Sequence, residues 1–146
     1  MSSDAFERVR LSFERQGMML HLGATLLRAQ PGLCELLLPY SQRVTQQQGG
    51  FHGGAIGALA DIAAGYAALT MAPEGMEVVS VEYKINFLAS CRDGELRALG
   101  RVLKAGRRVI VASAEVSHVG ADGRVTPCAL LQQTVMPVPQ TYSDEQ

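Results

Sequence analysis

At 146 residues, 47% apolar and 18% charged, the chain has the length of one domain and enough apolar material for a core, which excludes disorder over most of it. Thirteen Lys and Arg against fourteen Asp and Glu leave a formal net charge of -1, which argues against a protein that holds nucleic acid by bulk electrostatics. Cys34, Cys91 and Cys128 are widely spaced with no C-x-x-C pair, and the start MSSDAFERVR is polar, so a cytoplasmic protein with reduced thiols is expected.

Phe6, Val9, Leu11, Phe13 and Met18 recur about one turn apart and predict an amphipathic helix from Asp4 to Met19, with Asp4 as its N-cap. From His21 to Tyr40 two apolar runs flank Pro31-Gly32 and read as a β-hairpin. Ser41 to Phe51 is a polar, glycine-ended surface loop. Gly54 to Leu69 is apolar on every face except at Asp61, so this helix must be enclosed by protein; Pro73 and Gly75 end it. The wider run to Ala72 approaches membrane-spanning length, but it is mostly Ala and Gly around a central Asp, so it reads as a buried helix of a soluble protein with no membrane partner.

Val81, Tyr83, Ile85 and Phe87 then alternate with Glu82, Lys84 and Asn86 as in a half-buried strand. The same alternation puts Ser80 on the polar face, unless a bulge or a subunit seam intervenes. Glu95 to Lys104 and Arg108 to Val119 form a hairpin across Ala105-Gly106-Arg107, and Val125 to Met136 follows the Asp122-Gly123 turn. The tail from Pro137 is expected to be loose. The sum is a single α+β domain over residues 1–146, its core at about 19–136: one antiparallel sheet around one long helix, preceded by a short N-terminal helix. Such a sheet keeps a rim and an edge to cover, so self-association is expected.

Gly49, Gly50, Gly53 and Gly54 cluster where the polar loop meets the apolar helix, which leaves backbone N–H groups open to an anion or oxyanion. Asp61 stands alone in that helix; it either pairs with a strand residue such as Lys84, faces solvent through a gap, or acts as nucleophile or general base. Gly53 and Asp61 are eight positions apart, about 12 Å along a helix axis, so one acyl carbonyl cannot touch both within one chain. If both serve one reaction, the second comes from a neighbouring subunit, and a two-fold dimer carries two equivalent sites. No second His or Cys stands at ligand spacing from His52, and no metal is expected. A Cys-His or Ser-His system using Cys91 or Cys128 has no local support. Arg101, Lys104, Arg107 and Arg108 form either a solvated hairpin end or a phosphate-binding group.

The string Gln46-Gln47-Gln48-Gly49-Gly50-Phe51-His52-Gly53-Gly54, the following Ala-Leu-Ala-Asp61, and the strand segments VSVEYKINFLAS and GRVLKAGRRVIV resemble the motifs of hotdog-fold acyl-CoA thioesterases, in the branch typified by the phenylacetic acid degradation (PaaI-like) thioesterase. The resemblance spans nearly the whole chain. It implies that the Gly53 N–H polarises the thioester carbonyl, that Asp61 of the partner subunit attacks or activates water, and that His52 fixes the loop so that this N–H points correctly. By the same resemblance Gln46, with Gln48 as the alternative, replaces an Asn that holds the nucleophile or the carbonyl, and Ser80 assists the water. Lys104, Gly106, Arg107 and Arg108 would contact the coenzyme A nucleotide and phosphates.

The expected function is hydrolysis of an acyl-CoA to free acid and coenzyme A by a homodimer or a dimer of dimers, without cofactor, coenzyme A entering as part of the substrate. Tyr66, Leu69, Phe87 and Leu88 suggest an apolar pocket suited to an aryl or medium-chain acyl group. The alternatives are a non-catalytic acyl-CoA sensor or carrier on the same fold, and a hydratase, whose His–acid pairing is not found in this sequence.

Overall fold

The computed structural model describes residues 3–143. The predicted N-terminal helix is divided: α1 runs Ser3–Phe13 and α2 Gly17–Leu22, with Asp4 inside the first turn of α1 rather than capping it. The break has local causes. Arg15 N–H and Gln16 N–H bond three residues back, to the carbonyls of Ser12 and Phe13, which tightens and ends α1, and Gly17 is a poor helix former. The break also re-phases the apolar face, so that Val9, Met19 and Leu22 are buried while Met18 faces out.

The Pro31-Gly32 pair joins β1 (Thr25–Gln30) to β2 (Leu33–Pro39), with Gly32 at φ +78°, the left-handed position of a type II turn. After a single 3-10 turn at Gln42–Val44 comes the long helix α3 (Gly53–Leu69), followed by β3 (Met76–Phe87), β4 (Glu95–Ala105), β5 (Ile110–Val119) and β6 (Val125–Pro139). All neighbouring strands are antiparallel, in the order β1-β2-β4-β5-β6-β3, so β3 is an edge strand paired only with β6. The α+β plan with one enclosed helix is as expected.

Most of α3 is buried, and it crosses β4 at Gly100, where an added Cβ would lie 2.1 Å from the Ala63 carbonyl oxygen. Only glycine permits that approach. Arg8 on α1 fastens the chain after α3 by donating to the carbonyls of Ala72, Pro73 and Met76 at 2.8, 2.7 and 3.0 Å.

Strand β3 departs from simple alternation. Its register against β6 runs Ser80↔Val135 and then Glu82↔Thr134, which leaves Val81 as an extra, bulged residue, 58% exposed. Before the bulge Val78 and Ser80 face α3; after it Tyr83, Ile85 and Phe87 do. The expectation that Val81 shares the inward face is therefore corrected, and Ser80 gains that face.

The end of the chain is also better tied than expected. β6 continues past Met136 to pair Pro139 with Met76, Gln140 N–H bonds the Gly75 carbonyl, and Arg15 donates to the Ser143 carbonyl while lying 4.4 Å from the Tyr142 ring centre. The rest of the predicted loose tail, 144–146, lies outside the described residues. Among the described residues no helix is long and apolar enough to cross a membrane.

Gly100→Ala is expected to cost about 3 kcal/mol or more, because helix backbone and sheet must separate. Chemical denaturation measures this, and an unchanged midpoint would contradict the close approach.

Candidate active site

The loop before α3 is shaped by its own backbone. His52 N–H bonds the Val44 carbonyl at 2.7 Å, Phe51 N–H bonds Cys91, and Gln46 N–H bonds the Gly50 carbonyl, closing a turn in which Gly49 takes φ +89°. The Gln46 side-chain carbonyl accepts from Gln48 N–H, so that end of the amide is committed to the turn while its Nε2 lies against Gly50. Gln48 is exposed.

His52 is the N-cap of α3. Its Nδ1 accepts from Gly54 N–H at 2.7 Å, which requires the ring proton to be on Nε2, and its carbonyl accepts from Ala55 and Ile56 N–H. The Gly53 N–H, at the first helical position, has no acceptor among the described residues, and the helix dipole is positive there. The Phe87 ring lies against Gly53.

Two turns along α3, half-buried Asp61 receives two hydrogen bonds on one oxygen, Oδ1: from Ser80 Oγ at 2.7 Å and from Gln133 Nε2 at 2.5 Å. Lys84 is not its partner. Beside it opens a cleft of about 70 Å³ lined by Gln16, Asp61, Ile62, Gly65, Tyr66, Glu77, Val78 and Ser80. Tyr66 is buried and anchored to the N-terminal helices, its hydroxyl 2.8 Å from Gln16 Nε2 and 3.0 Å from Ser12 Oγ; burial pushes its pKa above the ordinary phenol value. Leu69 is buried in the core, whereas Phe87 and Leu88 are half-exposed.

Lys104, Gly106, Arg107 and Arg108 crown the β4–β5 hairpin, all exposed, with no carboxylate pairing the three cations among the described residues. The register Ala105↔Ile110, Ile110↔Val135, Val135↔Ser80 puts this hairpin at the level of Ser80, three strand spacings or about 14 Å away. Cys91 and Cys128 are buried; burial raises both thiols, Cys128 to about 12, which keeps them protonated and poor nucleophiles. Among the described residues no group of three metal-ligating side chains converges.

Sequence reading missed Gln133. Its signal was present: alternation in β6 puts it with Leu131 and Val135 on the apolar face, where a glutamine needs a partner.

The sequence profile of the Thioesterase superfamily matches residues 48–122. A crystal structure of a thioesterase family protein from Silicibacter pomeroyi superposes with a TM-score of 0.88 at 36% identity, covering 92% of this chain and 98% of that one. A Saccharolobus solfataricus protein provisionally named an esterase is 36% identical over 104 residues, 71% of this chain and 72% of its own. The Klebsiella pneumoniae proofreading thioesterase EntH is 35% identical over 91 residues, 62% of this chain and 66% of its own. The chain belongs to the thioesterase superfamily, in its hotdog fold, and is a thioester hydrolase.

His52→Ala is expected to destabilise the fold by about 1 kcal/mol through loss of the cap, and His52→Asn by much less. Urea unfolding of the two variants checks the difference.

Proposed function

We propose that the protein hydrolyses an acyl-CoA thioester with an aryl or medium-chain acyl group, in a site shared by two subunits. The observation that carries this is the pairing, on one helix, of an unoccupied Gly53 N–H with an Asp61 whose Oδ2 has no described partner. The two groups are about 12 Å apart along α3, so each completes a site with its counterpart from a second chain. The free edge of β3, with Val79, Val81 and Tyr83 exposed along it, supports a two-fold dimer built there, open to further pairing into a tetramer. A cleft of about 70 Å³ holds roughly two waters, so the acyl group needs walls from the partner; Phe87 and Tyr66 line its path.

In this reading the Gly53 N–H donates to the carbonyl oxygen and strengthens that bond as negative charge develops. Asp61 of the partner subunit either attacks the carbonyl carbon, giving a mixed anhydride that water then hydrolyses, or takes a proton from the water that attacks. On both routes the C–S bond breaks, the thiolate leaves and takes up a proton from water to become coenzyme A, and the free acid is released. Ser80 holds Asp61, His52 holds the loop, and the Gln46 Nε2, the end of the amide left over by its turn, serves the reacting centre. Lys104, Arg107 and Arg108 pair with the nucleotide phosphates, and Gly106 lets the turn come close. The reaction needs no metal or cofactor and proceeds in the cytoplasm.

Asp61→Asn is expected to lower turnover at least a hundredfold, and Gly53→Pro about 10² to 10³-fold. Proline suits the first helical position and follows an extended His52, so it deletes the donor while keeping the helix. Refolding the two inactive variants together should restore about a quarter of wild-type activity, since half the dimers are mixed and each mixed dimer has one intact site. A mixture that stays inactive would confine the site to one chain. Replacing Arg107 and Arg108 by Ala should raise KM for coenzyme A esters about tenfold and leave KM for short thioesters lacking the nucleotide unchanged; equal effects would remove both residues from binding.

A further inference from the structure

We infer that Gln133 is a positioning residue for the hydrolysis: its buried amide holds one oxygen of Asp61 so that the other is presented to the reacting centre. This rests on the reading of Asp61 given above. Gln133 is 1% exposed and lies on β6 between Tyr83 of β3 and Ala112 of β5, on a face whose other members, Ala129, Leu131 and Val135, are apolar. Its Nε2 donates to Asp61 Oδ1, and its Oε1 is buried with no hydrogen-bond partner among the described residues, facing the Gly65 backbone. An amide in this place is a poor choice for packing alone, since one of its two polar ends goes unsatisfied where an apolar side chain of equal size would not.

What the amide does is specific to the carboxylate. Ser80 Oγ and Gln133 Nε2 converge on the same oxygen from two different strands, so Oδ1 is held twice and Oδ2 has no partner among the described residues. A carboxylate turned part-way about its terminal bond would lose both donors together, and a half-turn only exchanges two equivalent oxygens, one held and one presented. The amide itself has one usable orientation, because a flip would set Oε1 against Oδ1, acceptor against acceptor. Gln133 thus keeps Asp61 in one rotamer with Oδ2 presented, and it does so from the sheet interior, where it cannot touch substrate.

The test is Gln133→Met, which keeps length and volume, removes the donor and removes the orphaned acceptor. Turnover is expected to fall at least tenfold with KM for the acyl-CoA changed less than twofold, while the melting temperature stays level or rises. A merely structural glutamine would lower stability and activity together. In an Asp61→Asn background the same substitution should have no further effect on residual turnover, because the group it positions is gone. Unchanged turnover in Gln133→Met, or an equal loss in both backgrounds, overturns the inference. Should Gln133→Met not fold, Gln133→Leu is measured in the same way and carries the same outcomes. If Asp61→Asn alone retains wild-type turnover, it is the functional reading that fails, whereas an inactive Asp61→Asn beside a fully active Gln133→Met sinks only the role of Gln133.

Discussion

The structure depends on burying a helix that has almost no polar face. α3 brings eleven buried residues into the core, most of them Ala or Gly, and small side chains bring its backbone close to the sheet. At Gly100 the two backbones meet with no room for a methyl group. That closeness fixes the height and rotation of the helix to within a fraction of a turn, and with it the places of the only groups along α3 with chemistry to offer: the open amide at its start and the carboxylate in its middle. Stability and function share this one contact.

Around that helix two polar groups lack a partner among the described residues where the site has work for them, the orphaned Gln133 Oε1 being a third that serves no bond. The first turn of α3 has its Gly54 N–H taken by His52, and its next two N–H groups by the His52 carbonyl, so a single amide is left over. Asp61 has one oxygen bonded twice and one free of described partners. Tyr66, by contrast, is bonded to Ser12 and Gln16 and walls the cleft without offering a reactive group.

Much of this was legible in the sequence because it follows from periodicity and punctuation. The Pro31-Gly32 turn, the apolar helix and the Asp122-Gly123 turn, with Gly123 at φ +83°, fall where residue chemistry puts them. The misread segments have a common physical cause: a shift of phase. A gap between α1 and α2 exchanges Met18 for Met19 as the buried residue, and the extra residue at Val81 exchanges the two faces of β3, which makes the Ser80 contact with Asp61. The first shift is marked only by Gly17, and the second leaves no mark in residue type. For Gln133 the sequence carries the anomaly of an amide on an apolar face but not its partner, which lies 72 positions away in the chain; only the fold brings a strand glutamine to a helix aspartate. At Gln46 residue type alone does not reveal that the carbonyl end of the amide closes its own turn, leaving Nε2 beside Gly50.

The bulge at Val81 has a consequence for how this protein can change. Ser80 reaches Asp61 through spacing, not through its neighbours' identity, so many replacements at position 81 leave the arrangement intact. Deleting Val81 would restore an unbroken ladder, with Ser80 against Val135 followed directly by Glu82 against Thr134, and would keep the serine on the inner face. In lineage terms the serine is indifferent to the codon at position 81, in identity and even in presence; only a ladder that closed up with that residue kept would turn it away.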